Sequence, residues 1–282
     1  ELLFLTPADK WIISKVNTLA KEVTDNMSNY ELGLAVDKIH SFLWDEYCDW
    51  YIEMVKPRLY NKEDKTRNAA LWTLKEVLIN ALKLLHPYMP FITEEIFMHV
   101  QSDEESIMIS KWPEFREEWN FKESEAEIDL IKEAVRSIRR IRAEMNVVPA
   151  KKAKVFVVSN DEYVRDVFKR SEVFLRNLAY ASELYVQDNK NGIDDDAVSC
   201  VIQNAVIYMP FAELVDISKE IERLTKEKEK MLKEIDRVDK KLSNQGFVSK
   251  APQSVIDEEK AKGEKYKSML LQIEDRLSQM SK

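Results

Sequence analysis

Apolar residues recur at three- and four-residue steps through most of this sequence, and each interruption of that rhythm predicts an element boundary. Thr6 followed by Pro7 reads as an N-cap and a first helical position, with Asp9 in the first turn and Trp11, Ile12, Val16, Leu19 and Val23 continuing at helical spacing. A second helix is predicted from about Glu31 to Lys56, stopping at Pro57, with Leu34, Ile39, Phe42, Leu43, Trp44 and Tyr47 on a broad apolar face. A third runs from about Thr66 to Leu85. Pro87 and Pro90 then break the chain before a short helix that includes Thr93 to Phe97. "SIMISKWPEF" reads as extended or irregular. It leads into a helix from about Glu123 to Met145, with Ile128, Ile131, Val135, Ile138 and Ile141 on one side.

Past residue 150 the period changes. "KAKVFVVS", "SELYVQ", "AVSCVIQ" and "AVIYMPF" alternate and are rich in β-branched residues, while "DEYVRDVFKRSEVFLRNLAY" between the first two keeps a helical spacing. A third pattern follows. Leu214, Ile217, Ile221, Leu224, Lys228, Met231, Ile235, Val238 and Leu242 step alternately by three and four, and the same alternation returns at Ile256, Glu259, Gly263, Tyr266, Leu270, Ile273, Leu277 and Met280. The pause between these runs, "LSNQGFVSKAPQSVI", is too short for parallel packing, so the two helices are predicted to fold back as an antiparallel hairpin about 40 Å long. Gly246 would supply a left-handed cap to the first helix and Pro252 the first turn of the second. Lys228, Glu259 and Gly263 weaken the seam, so it is not a sequence optimised as a dimer zipper. The fold class is therefore mainly α. The expected parts are a helical bundle over 1–149, a small α+β module over 150–212 and an antiparallel coiled-coil hairpin over 213–282.

Composition adds less than pattern does. Four glycines in 282 residues agree with a helical chain, and the two cysteines, Cys48 and Cys200, form neither a disulfide framework nor a zinc knuckle, which suits a cytoplasmic setting. There is no apolar run long enough for a membrane span and no signal-peptide pattern. The opening "ELLFLTPADK", which lacks Met, is what a fragment of a longer chain would show. The net charge of −8 argues against nucleic acid only on average, because residues 132–154 hold eight cations against two carboxylates.

Candidate chemistry follows from that unevenness. The run "RSIRRIRAEMNVVPAKK" is either a solvated helix face or a phosphate-binding strip. In "FLWDEYCDWYIEMVKPRLY", Trp44, Tyr47 and Tyr51 share a helical stripe expected in the core, whereas Trp50, Lys56 and Arg58 lie off it and are available to a nucleotide. At the hairpin turn Phe247 beside Lys250 combines a stacking group with a phosphate partner, though a Phe there could equally pack on the helix ends. No catalytic constellation emerges. His40, His86 and His99 are unclustered, no glycine-rich phosphate loop occurs, and neither HExxH nor GxSxG is present.

Taken together, "FLWDEYCDWYIEMVKPRL", "LLHPYMPFITEEIF", "SIMISKWPEF", "IRRIRAEMNVVPAKK" and "KLSNQGFVSKAP" resemble the C-terminal half of bacterial valyl-tRNA synthetases, in the order of that family and over nearly the whole chain. The resemblance implies an anticodon-binding helical domain of the class Ia type, a small α+β junction and a C-terminal coiled-coil arm that reaches the outer corner of tRNA. The class I signatures HIGH and KMSKS are absent, as is the editing domain. The resemblance therefore implies no cofactor in this chain and no activity by itself. ATP and magnesium would belong to a separate catalytic domain, and the partner would be valine tRNA, held by a cytoplasmic monomer with no membrane contact. The residue assignments it suggests are Trp50, Lys56 and Arg58 on the anticodon side, Arg139, Arg140, Arg142, Lys151 and Lys152 on the RNA backbone, and Lys241, Asn244, Phe247 and Lys250 at the tRNA elbow. The competing readings are a helical scaffold whose hairpin recruits a protein, or the equivalent part of another class Ia synthetase.

Overall fold

A computed structural model describes residues 4–101, 103–214, 217–244, 246, 249 and 252–280. They form two compact units, Glu1–Met209 and Pro210–Lys282. The first unit opens with α1 (Pro7–Ser28), whose start is held by Asp9: the Thr6 backbone N–H and hydroxyl both donate to Asp9 Oδ2, each at 2.8 Å. The other oxygen of this fully buried carboxylate accepts from Tyr51 Oη at 2.7 Å and from Arg58 Nη1 at 2.8 Å. Arg58 in turn donates through Nε to Thr66 Oγ1 at 2.8 Å and through Nη2 to the Thr66 carbonyl at 2.7 Å. One buried carboxylate thus ties the start of α1 to the segments around residues 51, 58 and 66.

The predicted second helix is three pieces. After α2 (Leu32–Ser41) the chain winds as a π-helix over Phe42–Ile52 and then resumes as α3 (Glu53–Tyr60). Pro57 does not end it. Met54 and Val55 are buried and Arg58 is anchored to Asp9, so the turn bearing the proline is held from both sides, and the helix closes with the Asn61 N–H on the Pro57 carbonyl at 3.3 Å. The bundle is completed by α4 (Arg67–Leu85), α5 (Pro90–Val100) and α6 (Lys122–Glu144), with a short 3₁₀ turn at Ile107–Ile109. His86 Nδ1 meets Thr93 Oγ1 at 2.7 Å across the α4–α5 corner, a structural contact.

The long helix α6 serves two layers. Its N-terminal half packs on α1, where Glu125 accepts from Ser14 Oγ at 2.5 Å, and its C-terminal half packs on the α+β module. That module holds β1 (Ala153–Val158), α7 (Glu162–Arg170), α8 (Glu172–Leu178), β2 (Ala181–Gln187), β3 (Val198–Ile202) and β4 (Ala205–Met209). The sheet order is β2-β1-β4-β3, with β1 and β2 parallel around the two-helix crossover and the other pairs antiparallel. Val155, Val157 and Ile207 alternate inward from the strands, and Val164, Val167, Phe168 and Leu175 supply a buried helical layer. Asn204, in the short turn between β3 and β4, takes φ 59°, a conformation Asn tolerates better than most side chains. Glu127 of α6 accepts from both Arg170 Nε and Nη2 of α7 at 2.8 Å, a bidentate pair joining bundle to module.

The second unit holds a short α9 (Phe211–Leu214), then α10 (Ile217–Ser243) and α11 (Gln253–Met280). Lys228 pairs with Glu274 at 2.8 Å and Lys241 with Glu259 at 3.1 Å, so rising numbers on α10 meet falling numbers on α11 and the hairpin is antiparallel. Leu224, Met231, Val238, Ile256 and Ile273 are buried along the seam. Its three irregular positions each have a partner: Lys228 and Glu259 form those cross-helix pairs, and Gly263 leaves room for Val238, whose Cγ1 would lie 3.2 Å from a Cβ added there. Pro252 precedes α11, and its carbonyl accepts the Val255 N–H at 3.0 Å. Asn244 Oδ1 accepts the Gly246 N–H at 2.9 Å just beyond α10. No helix among the described residues is long and apolar enough to cross a membrane.

Two outcomes follow from this packing. Arg58→Ala leaves Asp9 charged and buried without its cation, and urea unfolding should register a loss of about 3–5 kcal/mol. In the hairpin, Gly263→Leu should cost about 1–3 kcal/mol by overpacking, and Val238→Ala in the same chain should return much of the lost helicity on thermal melting. A single variant as stable as the parent would mean that the close approach does not constrain the seam.

Candidate nucleic-acid interface

The residues expected on the anticodon side are differently placed from their expectation. Trp50 is buried at 8% exposure, with Lys132 Nζ 5.4 Å and Arg136 Cζ 5.3 Å from its ring centre, so its face is occupied by the chain's own cations. Arg58 is spent on Asp9, Thr6 and Thr66 and does not face solvent as a free cation. Lys56 is half exposed and paired with Glu53 one turn away. Conversely Trp44, expected in the core, is 62% exposed and stacks at 6.4 Å on His40. The π-helical winding is the cause. Hydrogen bonds from i to i+5 widen each turn beyond 3.6 residues, so positions four to five apart align. Phe42, Tyr47 and Trp50 with Tyr51 then face inward and Trp44 rotates out.

The basic run also divides. Arg139 and Arg140 are exposed on α6, although Arg139 Nε donates to the Leu178 carbonyl at 2.7 Å and so anchors α8 as well. Arg140 makes a loose contact with Glu144 at 3.9 Å, its one ion pair among the described residues. Arg142 is buried: its Nη2 donates to the carbonyls of Val148, Pro149 and Lys151 at 3.3, 3.3 and 2.5 Å, and Tyr180 lies over it at 5.2 Å. Burial lowers its pKa from the ordinary arginine value. Its role is to fold the segment after α6 back on that helix, which removes it from the surface set. Lys151 is half-buried and Lys152 is exposed. Lys132 is buried against Glu46, and desolvation holds its pKa below the usual lysine range.

At the hairpin turn, Lys241 and Asn244 are exposed, with Lys241 paired to Glu259. Phe247 and Lys250 lie outside the described residues. No group of three or more His, Cys, Asp or Glu side chains able to hold a metal ion occurs among the described residues.

A concave feature that the sequence reading did not single out lies in the bundle. A cleft of about 1000 Å³ runs between α4 and the segment 101–119, and three of the chain's six tryptophans line it: Trp72, Trp112 and Trp119. Trp119 meets Trp72 edge-on at 6.5 Å, and the Arg116 guanidinium lies 4.6 Å from the Trp119 ring. The far wall is pinned to α1. Asn17 exchanges two hydrogen bonds with the Arg116 backbone, both at 2.8 Å, and Trp112 Nε1 donates to Thr24 Oγ1 at 2.8 Å. Lys75 and Lys111 on the lining have no ion-pair partner among the described residues, whereas Lys83 is paired with Glu104 at 3.3 Å. The signal available beforehand was the density of tryptophan alone, in a segment read only as irregular.

Residues 9–157 match the family model described as the anticodon-binding domain of tRNA ligase, and residues 216–281 match that of the valyl tRNA synthetase tRNA binding arm. The chain is 50% identical over 270 residues to a valine--tRNA ligase of Clostridium perfringens, covering 96% of this chain and 31% of that protein. It is 48% identical over 271 residues to the Clostridium acetobutylicum protein of the same name, again 96% of this chain and 31% of the relative. A Bacillus anthracis valine--tRNA ligase is 39% identical over 275 residues, 98% of this chain and 31% of the relative. The chain thus spans 31% of the length of the curated relatives it matches.

Glu259 offers a titration test of the hairpin. Hydrogen bonds from Lys241 and then Lys262 hold its pKa below the usual glutamate value. A carboxylate whose folded pKa is depressed contributes stability above its unfolded pKa and loses it as pH falls through the folded one. Circular dichroism should therefore show helicity weakening below the ordinary glutamate range, and Glu259→Gln should remove that part of the acid transition. An unchanged acid profile would mean that the pair adds nothing to the hairpin.

Proposed function

The chain belongs to the family of anticodon-binding domains of tRNA ligases, and on that footing we propose that it is the tRNA-holding portion of a valine--tRNA ligase. The observation that carries this reading is the order of two unlike modules on one chain, a helical bundle within 9–157 and an antiparallel hairpin within 216–281. A bundle and a hairpin can grip separated parts of one RNA, and linked contacts raise affinity beyond either alone when the geometry allows both.

The division of labour follows from RNA chemistry. Bases in the anticodon loop are unpaired, so aromatic and polar side chains can stack on them and read their edges, while the tRNA elbow offers shape and phosphate. On this reading the bundle takes the anticodon loop and the hairpin end takes the elbow, with Lys241 and Asn244 near the contact and Phe247 and Lys250 beside them in sequence. Arg139, Arg140, Lys151 and Lys152 remain the candidates for backbone phosphate. Arg58 and Trp50 act indirectly, by fixing the helices, and Lys56 stays a surface cation already paired to Glu53. Valine activation with ATP and magnesium falls to a catalytic part that carries HIGH and KMSKS motifs, neither of which occurs in this sequence. The setting is cytoplasmic and the assembled ligase a monomer.

Titration of the chain with valine tRNA and with a version altered in the anticodon tests the reading. Tighter binding to the unaltered RNA is expected, and equal, weak binding to both would reduce it to nonspecific electrostatics. Among the described residues Arg140 has a 3.9 Å contact with Glu144 and Lys152, exposed, has no ion pair. Their joint replacement by Ala should weaken binding across RNA sequences and flatten the salt dependence by about one to two units of log–log slope. An unchanged slope would remove both residues from the backbone contact.

A further inference from the structure

We infer that the tryptophan cleft between α4 and the 101–119 segment is a nucleobase pocket that takes an unstacked base from a single-stranded RNA loop, an inference that rests on the tRNA-binding reading. Its lining is an unusual combination for a protein surface. Trp72, Trp112 and Trp119 are each half-buried, so each presents part of an indole to the open space without being sealed in the core. Arg116 lies over one of them at 4.6 Å and makes no ion pair among the described residues. Planar aromatic and guanidinium groups are the surfaces on which splayed bases stack, without demanding one base over another.

The charge of the cleft decides between a base and a phosphate track. Its four cations, Lys75, Lys83, Lys111 and Arg116, are outnumbered by five carboxylates, among them Glu76, Glu105 and Glu114. A groove built to follow phosphates would be electropositive throughout. Carboxylates beside indoles suit a base instead, because exocyclic amino groups donate to them while the ring stacks. Lys75 and Lys111, exposed and unpaired among the described residues, are placed to meet the phosphates that flank the inserted base. Duplex RNA cannot use such a pocket, since its bases are stacked and paired.

The pocket is also built in advance. Pro113 is buried, Asn17 holds the Arg116 backbone by two hydrogen bonds, and Thr24 holds the Trp112 indole N–H. The 112–116 part of the wall is therefore held before a ligand arrives, which reduces the entropy cost of binding.

The test uses the full chain and two RNA probes: a stem–loop carrying the valine anticodon loop, and the same stem as a closed duplex. Trp72→Ala should weaken the stem–loop by about 5- to 100-fold and leave the duplex unchanged, Trp72→Phe should keep most of the affinity, and the stem–loop should quench indole fluorescence of the parent chain. Lys75→Ala with Lys111→Ala, which touches no packed group, should weaken the stem–loop and lower its salt slope. If the parent binds the stem–loop and all these variants bind it equally well, the pocket assignment is overturned while the tRNA reading stands. Equal weakening of both probes by Trp72→Ala would mark a structural role and also overturn it. Failure of the parent to bind either the stem–loop or whole tRNA would overturn the tRNA reading, and the pocket with it.

Discussion

The first unit is organised around the buried carboxylate of Asp9. It is fully shielded from bulk solvent, and protein donors meet both of its oxygens. Thr6 meets one oxygen and Tyr51 with Arg58 the other, while Arg58 extends the network to Thr66. Such an arrangement gives less net stability than its number of bonds suggests, because two charges were desolvated to make it. What it supplies is a link between distant segments. A packing that separated Arg58 from Asp9 would leave the carboxylate buried without its cation, and the bond from Arg58 to Thr66 carries the same tie to the start of α4.

The same economy of partners runs through the rest of the chain. Glu127 and Arg170 bind bundle to module, Arg142 folds the chain back at the end of α6, and Lys132 with Glu46 lies beneath Trp11 and Trp50. In the hairpin, the departures from an apolar seam set the register. An all-leucine seam would permit slippage by a heptad, whereas Lys228 opposite Glu274, Glu259 opposite Lys241 and Gly263 opposite Val238 coincide only in one alignment.

Periodicity was a reliable guide wherever an element obeyed a single repeat. The α6 stripe from Ile128 to Ile141, the inward valines of β1 and the two heptad helices all occupy the places their spacing predicts. It misled at Phe42–Ile52, where the apolar residues fit an α-helical stripe almost as well as the wider π-helical one and the choice is made by packing against Asp9. Cations were harder still. Nothing in the local sequence of Arg58 or Arg142 distinguishes an arginine that reaches RNA from one whose carboxylate lies 49 residues away or whose carbonyl partners close a loop beside it. The tryptophan cleft was invisible for a related reason: its walls come from a regular helix and an irregular segment, and no single period spans both.

The π-helical stretch has a consequence for how the length of this chain can vary. Removing one residue from a helix turns everything beyond it by about 100°. A deletion between Phe42 and Ile52 would convert the wide winding toward an ordinary one and swing Arg58 away from Asp9 together with the rest of α3. Insertions and deletions among relatives should therefore avoid this stretch and gather in exposed connections such as 188–192.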